Sequence, residues 1–284
     1  MSMLHDPRVI DAVSEHYNAE LIRREDETED LATFWVRFRG EPVPFEPGQY
    51  MTIGVHADQR IVQRPYSVAS SPREVRDAYE FYVRLVPILR FTTLLWRLPI
   101  GHGMRMTGPK GRFLLEPDDD RTHLFIATGT GIAPFISMIR TAIFDGRPRR
   151  TVVAHGVSYV RELGYREELE RIARDGYPIT YVPTVSRPAE PENTGWRGKT
   201  GRVETILDDL CDDCSILPNR TVVYICGNPE MILKAEAIVQ SHGLPEPHVK
   251  KELYWPKGKG AGQPVDVTTG ERVHGRAAEA VAEH

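Results

Sequence analysis

The chain has 284 residues, 27% of them charged, and a formal net charge of −4; its length favours two domains. It contains no run of eighteen apolar residues, and its first twenty residues lack a basic segment followed by an apolar one, so we expect no transmembrane helix, no signal peptide and a cytoplasmic protein. Three cysteines argue against a disulfide framework and cannot supply the four thiolates of an ordinary iron–sulfur cluster.

The first part of the chain, residues 1–116, has the pattern of an antiparallel β-barrel. Strand-like runs occur at 45–55 and 79–86, and GMRMTGPKGRFLL (103–115) predicts a pair of strands broken by turns. One helical stretch, FTTLLWRLPI (91–100), interrupts them. Short strands with closely spaced turns are typical of a barrel or a sandwich.

Basic residues concentrate in the second half of this part. The range from Arg60 to Arg112 contains ten Lys/Arg and three Asp/Glu, whereas the first fifty residues contain five and eleven. Such a stretch can attract an acidic partner, although a solvated face of arginines is the simpler interpretation.

RPYSVASSP (64–72) lies within that basic range. It places a cation directly before Pro65, and an aromatic ring and small hydroxyl side chains between Pro65 and Pro72. One interpretation is a strand end that runs into a turn, since Ser-Ser-Pro is common in turns. The other is a binding site for a ligand that is both flat and anionic.

After an acidic hinge at 116–120, residues 121–255 predict an α/β domain. Short apolar runs alternate there with helical segments, which implies a parallel sheet with helical crossovers. Strands are predicted at 122–127, 151–157, 178–185 and 221–227, and helices at 134–144, 165–175 and 229–243. Residues 256–284 are rich in glycine and charge, and we expect a flexible tail.

ATGTGIAPF (127–135) is the strongest local signal. A buried strand ends there, and Pro134 follows near the first turn of a helix. Gly129 and Gly131 allow backbone amides to approach a ligand closely, and a helix amino terminus favours an anion. The pattern is not G-x-G-x-x-G, so an ordinary Rossmann dehydrogenase is disfavoured.

Two further strand ends carry candidate ligand groups. Cys226 and Gly227 end one strand, and Gly227 permits another close approach, although Cys226 alone is more often a buried small hydrophobe. Ser186 and Arg187 follow a second strand, and Arg202 follows one loop later. Two arginines at the mouth of a nucleotide fold can clamp a phosphate.

The pair Cys211 and Cys214 has C-x-x-C spacing. The spacing lacks a second pair or nearby histidines, and the aspartates between the two cysteines would raise the thiol pKa values. We therefore predict no metal or redox site.

RPYS (64–67), TGTGIAP (128–134) and CGNP (226–229), in this order, resemble the ferredoxin–NADP⁺ reductase family over roughly residues 30–255. KKELYW (250–255) is similar to the C-terminal motif of its bacterial, ferredoxin/flavodoxin-reductase type. The resemblance implies an FAD-binding barrel over 1–116 and an NADP-binding α/β domain over 121–255.

The resemblance also implies an FAD site around the RPYS motif. In the family this motif, which includes Pro65, places Tyr66 against the isoalloxazine, Ser67 near flavin N5 and Arg64 on the pyrophosphate. The backbone of Tyr82, Val83 and Arg84 would meet the flavin and ribose, and Arg90, Phe91, Thr92 and Thr93 would hold the pyrophosphate.

A nucleotide site follows from the same resemblance. Thr130 would contact both the flavin and the nicotinamide, which would dock at Cys226 and Gly227. Arg187 and Arg202 match arginines that grip the 2′-phosphate, which favours NADP over NAD. The chain departs from some close relatives at Ser158, where they have a third arginine.

The C-terminal motif implies three further roles. Glu252 would relay a proton to the flavin, Tyr254 would cover the flavin face that the nicotinamide must reach, and Trp255 would stack on the adenine. Together with Ser67 and Cys226, Glu252 and Tyr254 form the predicted catalytic set. The chain continues for 29 residues past Trp255, unlike some relatives.

The resemblance therefore implies an FAD-dependent enzyme, a ferredoxin/flavodoxin–NADP⁺ reductase. It would transfer a hydride between NADP(H) and FAD, and single electrons between FAD and a small acidic carrier, a ferredoxin or flavodoxin. The basic range is our hypothesis for the docking surface of the carrier, and we expect no nucleic acid or membrane partner. The alternatives are the reductase component of a multi-subunit oxygenase and a non-catalytic, nucleotide-binding regulatory subunit.

Overall fold

The computed structural model describes residues 14–75, 78–116 and 119–253, and within them the chain forms two six-stranded sheets. The first sheet is antiparallel and the second is parallel, which confirms the predicted combination of a β-domain and an α/β domain. No helix in these residues is both long and apolar enough to cross a membrane.

The antiparallel sheet has the strand order β4-β3-β6-β1-β2-β5. Its strands are β1 (Ala19–Thr28), β2 (Leu31–Phe38), β3 (Tyr50–Ala57), β4 (Arg60–Ser67), β5 (Tyr79–Arg84) and β6 (Gly103–Lys110). The two outer strands approach each other where the Ala69 amide donates to the Glu80 carbonyl at 2.8 Å, so the sheet curls into a barrel. The short helix α1 (Arg90–Leu95) buries Phe91 in the barrel core.

The predicted pair of strands over 103–115 is wrong, because this segment contains the single strand β6. The backbone turns at Gly111, whose φ of +108° is a conformation that other residues rarely adopt. The chain then leaves the barrel, and the Glu116 amide donates to the Tyr224 hydroxyl of the second domain at 3.1 Å.

The parallel sheet has the strand order β10-β9-β8-β7-β11-β12. Its strands are β7 (Thr122–Thr128), β8 (Thr151–Val157), β9 (Ile179–Val185), β10 (Lys199–Thr200), β11 (Thr221–Gly227) and β12 (Val249–Leu253). Their apolar side chains are covered by α2 (Ala133–Phe144) and α3 (Arg166–Arg174) on one face, and by α4 (Leu207–Asp213) and α5 (Pro229–Ser241) on the other. All carboxyl ends of the strands lie at one edge, where ligands bind in such sheets.

Helix α2 is fastened to the end of the RPYSVASSP segment. Ser137 Oγ donates to the Ser70 carbonyl at 2.7 Å, and the hydroxyls of Ser71 and Thr141 lie 2.9 Å apart. The second half of RPYSVASSP therefore joins the two domains.

Cys211 and Cys214 are free thiols on α4 and its carboxyl cap. Burial, followed by the nearby aspartates, raises the pKa of Cys211 to about 11. The thiol therefore stays protonated at neutral pH, which makes Cys211 a poor metal ligand or nucleophile.

Candidate functional site

The two domains meet at Ser67, the last residue of β4, and Glu252 on β12. Ser67 is only 4% exposed, and its Oγ donates to Glu252 Oε2 at 3.3 Å. Burial raises the pKa of Glu252 to about 7, although the hydrogen bond from Ser67 acts to lower it. A carboxyl group with this pKa can take up or release a proton near neutral pH.

Cys226 lies beside this pair. It is fully buried on β11, and its register partner on β12 is Glu252. The predicted catalytic residues Ser67, Cys226 and Glu252 thus converge on one place at the boundary between the domains. Their catalytic roles stay predictions.

The glycine-rich turns after β7 and β11 are packed tightly against each other. A Cβ on Gly131 would lie 2.3 Å from the Cys226 carbonyl oxygen, so only glycine fits without a shift of the backbone. The Asn228 amide donates to Thr128 Oγ1 at 2.9 Å, which links the two turns directly. By contrast, a Cβ on Gly129 would have no atom within 4 Å, so this side of the loop is open to a ligand.

His155, which was not among the predicted site residues, supports this loop through a contact with the Gly129 carbonyl. Its Nε2 lies 3.0 Å from the Gly129 carbonyl oxygen and its Nδ1 lies 3.1 Å from the Tyr181 hydroxyl. Burial lowers the pKa of His155 to about 4, so the ring is neutral at physiological pH. Because a carbonyl only accepts, Nε2 carries the proton and Nδ1 accepts from Tyr181. The sequence could have indicated His155 by its position in a run of mostly apolar residues that was predicted to be a buried strand.

The first half of RPYSVASSP presents an aromatic ring and a cation. The Tyr66 ring packs against Phe91 of α1, with 5.8 Å between the ring centroids, and burial raises the pKa of its hydroxyl. Arg64 is exposed, donates to the Gln63 carbonyl and has no carboxylate partner among the described residues. A flat apolar ring beside an unneutralised guanidinium fits the isoalloxazine and pyrophosphate of FAD.

Several side chains predicted at the FAD site have other partners. Arg84 forms ion pairs with Asp30 at 2.8 Å and with Glu162 at 3.0 Å. Arg90 pairs with Asp58, and the Thr93 hydroxyl donates to the Arg90 carbonyl at 2.9 Å.

The same holds for three buried residues of this set. The Thr92 hydroxyl bonds to the Val86 and Leu89 carbonyls, Val83 lies in the barrel core, and the Tyr82 ring packs edge-on against Tyr165. The contribution predicted for Tyr82 and Val83 is that of their backbone, and like the one predicted for Thr92 it stays a prediction.

The predicted phosphate-binding residues flank the end of β9. The Ser186 amide donates to the Val157 carbonyl at 2.9 Å, which fixes the turn that carries Arg187. The Gly201 amide donates to the Val185 carbonyl at 2.9 Å, which places Arg202 beside the same strand end. Thr130 lies in the turn after β7, two strands away in the sheet. Tyr254, Trp255 and the predicted tail lie outside the described residues.

Two family models match the chain, one for each domain. The oxidoreductase FAD-binding domain matches residues 18–114, and the oxidoreductase NAD-binding domain matches residues 125–237. The chain is thus a two-domain flavoprotein oxidoreductase that binds FAD and a nicotinamide dinucleotide.

Individual relatives agree with these matches. Ferredoxin–NADP reductase B of Sorangium cellulosum is 30% identical, and the match covers 77% of this chain and 88% of that protein. The reductase component of the naphthalene 1,2-dioxygenase system of Pseudomonas putida is 29% identical, with 82% and 67% covered. The solved structure of a ferredoxin NADP⁺ reductase from Neisseria gonorrhoeae with bound FAD and NADP has a TM-score of 0.72 at 24% identity, covering 85% of this chain and all of that one.

Proposed function

This chain belongs to the ferredoxin–NADP⁺ reductase family, and we propose from that premise that it uses NADPH to reduce a small one-electron carrier, a ferredoxin or flavodoxin. The observation that carries the proposal is the meeting of Ser67, Glu252 and Cys226 at the boundary between the FAD-binding and NAD-binding domains. The proposal thereby gives Glu252 a position at the boundary between the two domains, where it would exchange a proton with the flavin.

Bound FAD supplies the conversion of a two-electron donor into one-electron steps. Arg64 and Tyr66 would hold it through its pyrophosphate and its ring. On the other side of the boundary, the turns at Gly129–Gly131 and Cys226–Gly227 would position the nicotinamide. Burial raises the pKa of Glu252 to about 7, so its carboxyl group could take up or release a proton near the flavin at neutral pH.

The preference for NADP over NAD rests on the arginines after β9. A guanidinium fork matches the oxygens of a phosphate group, and Arg187 lies in a turn that is held by hydrogen bonds. Arg202, beside the same strand end, would add a second positive charge. A cytoplasmic location remains a prediction from the sequence.

The surface of this chain that would bind the carrier contains fewer basic residues than the whole range from Arg60 to Arg112. Arg73 pairs with Asp145 through two hydrogen bonds of 2.9 and 3.2 Å, and Arg84 and Arg90 also have carboxylate partners. We therefore assign the surface to the exposed basic residues of this range that have no carboxylate partner within the described ranges and are not proposed to hold FAD: Arg60, Arg97, Lys110 and Arg112.

A second candidate function is that of the reductase component of an oxygenase. The similarity to the naphthalene 1,2-dioxygenase reductase component supports it. In that case the carrier would be a ferredoxin dedicated to an oxygenase. Parallel assays with a flavodoxin, a general ferredoxin and a Rieske-type ferredoxin would separate the two functions.

The first test is a visible absorption spectrum of the purified chain, recorded anaerobically before and after stoichiometric NADPH, with NADH in parallel. We expect a flavin spectrum that is bleached by NADPH and much less by NADH. Equal bleaching by both would remove the NADP preference, and the absence of a flavin after FAD addition would remove the proposed reaction. Steady reduction of a dye would exclude a non-catalytic regulatory subunit.

A further inference from the structure

Two arginines contact the ring of Tyr159, just past the end of β8. The guanidinium carbon of Arg187 lies 5.6 Å from the ring centroid, and its Nη1 donates to the Tyr159 hydroxyl at 3.0 Å. The guanidinium carbon of Arg161 lies 4.7 Å from the same centroid. Tyr159 thus gathers two fixed cations around one side chain, next to Ser158 where the sequence lacks an arginine.

The nearest acid in the sequence does not neutralise Arg161. Arg161 is exposed and has no carboxylate partner among the residues that the structure describes. Glu162, the nearest acid in the sequence, is only 7% exposed and faces inward. Its Oε2 accepts from the amides of Ser158 and Tyr159 at 3.0 and 3.1 Å, and its Oε1 pairs with Arg84. Glu162 therefore leaves the positive charge of Arg161 uncompensated on the outer side.

A buried asparagine holds the backbone beneath the cluster. Asn193 is 2% exposed, and its Oδ1 accepts from the Val160 amide at 2.8 Å. Its Nδ2 donates to the carbonyls of Ser158 at 3.0 Å and Arg187 at 2.7 Å. One side chain thus fixes both segments that carry the arginines, so little ordering is needed when an anion binds.

The cluster stands at the ligand-binding edge of the parallel sheet. It follows β8 and β9, whereas Gly129 follows β7 and Gly227 follows β11. Adjacent strands are about 4.8 Å apart, so the cluster and the β11 turn are separated by roughly 10–14 Å along this edge. A dinucleotide with its nicotinamide at Gly227 would direct its adenosine end toward the cluster.

We propose that Arg161 is a specificity-determining residue that binds the 2′-phosphate of NADP(H) together with Arg187. Arg161 thereby takes the role of the arginine that is absent at Ser158. This inference rests on the proposed use of NADPH and names a residue for it. Two guanidinium groups around a rigid ring present donors to a phosphate from two directions, which a single lysine could not do.

The test is calorimetric titration of the FAD-loaded protein with 2′,5′-ADP and with 5′-ADP. The variants are Arg161→Gln and, as a matched control, Arg174→Gln, which removes another exposed arginine of the same domain that lacks a carboxylate partner within the described residues. We expect Arg161→Gln to weaken 2′,5′-ADP binding by about tenfold or more, the usual effect of losing one charge-assisted contact. Binding of 5′-ADP should change by less than about twofold, as should both ligands with Arg174→Gln.

Two further variants test the arrangement of the cluster. Arg161→Lys should recover part of the 2′,5′-ADP affinity because it keeps the charge, and Tyr159→Phe should weaken binding because it frees the Arg187 guanidinium. Unchanged 2′,5′-ADP affinity in Arg161→Gln overturns the inference, even if NADPH still reduces the flavin. If NADPH fails to reduce the flavin of the wild type, the proposed function falls, and the titration still decides whether Arg161 binds a 2′-phosphate.

Discussion

Ser67 Oγ donates a hydrogen bond to Glu252 Oε2 at 3.3 Å, although 185 residues separate the two side chains along the chain. The bond joins the last residue of a barrel strand to the strand at the edge of the parallel sheet. It therefore reports directly on whether the two domains are correctly docked.

The raised pKa of Glu252 makes stability depend on pH. The folded protein holds a proton up to about pH 7, whereas an unfolded glutamate releases it near 4.5. Between these values the folded state binds more protons, so this group stabilises the protein at low pH, and the stabilisation is lost as the pH rises to 7. The change amounts to about 3 kcal/mol at most.

Glu252→Gln should remove this part of the pH dependence, which thermal denaturation between about pH 5 and pH 8 would measure. Ser67→Ala removes a hydrogen bond that lowers the pKa, so the decline should extend to higher pH. Ser241→Ala, which removes an exposed hydroxyl on α5, is the control. Parallel pH profiles of wild type and Glu252→Gln would contradict the assignment.

His155 should act in the opposite direction. Its pKa is about 4 in the folded protein and 6.5 in the unfolded chain, so the unfolded state binds the extra proton. Stability supported by the neutral ring is present above pH 6.5 and is lost as the pH falls toward 4.

Two substitutions of His155 separate its hydrogen bonds from its volume. His155→Phe leaves the Gly129 carbonyl and the Tyr181 hydroxyl unpaired and should cost about 1–3 kcal/mol and weaken nucleotide binding. His155→Gln, which has both a donor and an acceptor, should lose less. Equal nucleotide affinity of the two variants, measured by titration with 2′,5′-ADP, would show that the hydrogen bonds do not hold the loop.

A methyl group at Gly131 should push the two glycine turns apart. The added Cβ would lie 2.3 Å from the Cys226 carbonyl oxygen, so the backbone must move at a cost of about 1–3 kcal/mol. We expect Gly131→Ala to weaken nucleotide binding by more than tenfold, because the loop amides lose their positions. Gly176→Ala is the control, since its Cβ would meet no atom within 4 Å and only its φ of +87° is unfavourable.

Arg140 anchors the boundary between the domains. It donates to Glu80 of the barrel at 2.7 Å and to Glu168 of α3 at 2.7 Å, and these bonds raise its pKa against the effect of burial. Arg140→Met should cost about 3–5 kcal/mol, because it leaves two partly buried carboxylates without their cation.

The exposed pair of Arg73 and Asp145 is the matched control for Arg140. It also joins the barrel to α2, but its arginine is 55% exposed. Arg73→Met should therefore cost less than about 1 kcal/mol. Chemical denaturation of Arg140→Met and Arg73→Met would measure the loss of unfolding free energy in each variant. A similar loss in both would show that burial does not set the strength of these ion pairs.

The strand and helix pattern was predictable where the signal is local. Thr151–Val157 and Thr221–Gly227 are mostly apolar runs, and their strands have the predicted bounds. The second strand predicted within 103–115 was wrong. The composition after Gly111 is strand-like, but the backbone turns at Gly111 and leads to the other domain.

Partners distant in sequence were not predictable in the same way. The sequence drew attention to RPYSVASSP as a ligand site, but nothing local indicates that Ser70 and Ser71 bind α2. The support of Gly129 by His155 and the gathering of Arg161 and Arg187 around Tyr159 depend on which strands are neighbours. The order of strands in the sheet is set by tertiary packing and cannot be predicted from local sequence patterns.

The position of Glu252 on β12 also has a consequence for biosynthesis. The ribosome adds about 5–20 residues per second, so Ser67 is made roughly 10–40 seconds before its partner 185 residues later. During that interval the barrel can fold, but the boundary between the domains stays incomplete on one side. A nascent chain arrested before Val249 would thus carry a finished barrel whose Ser67 hydroxyl still faces water.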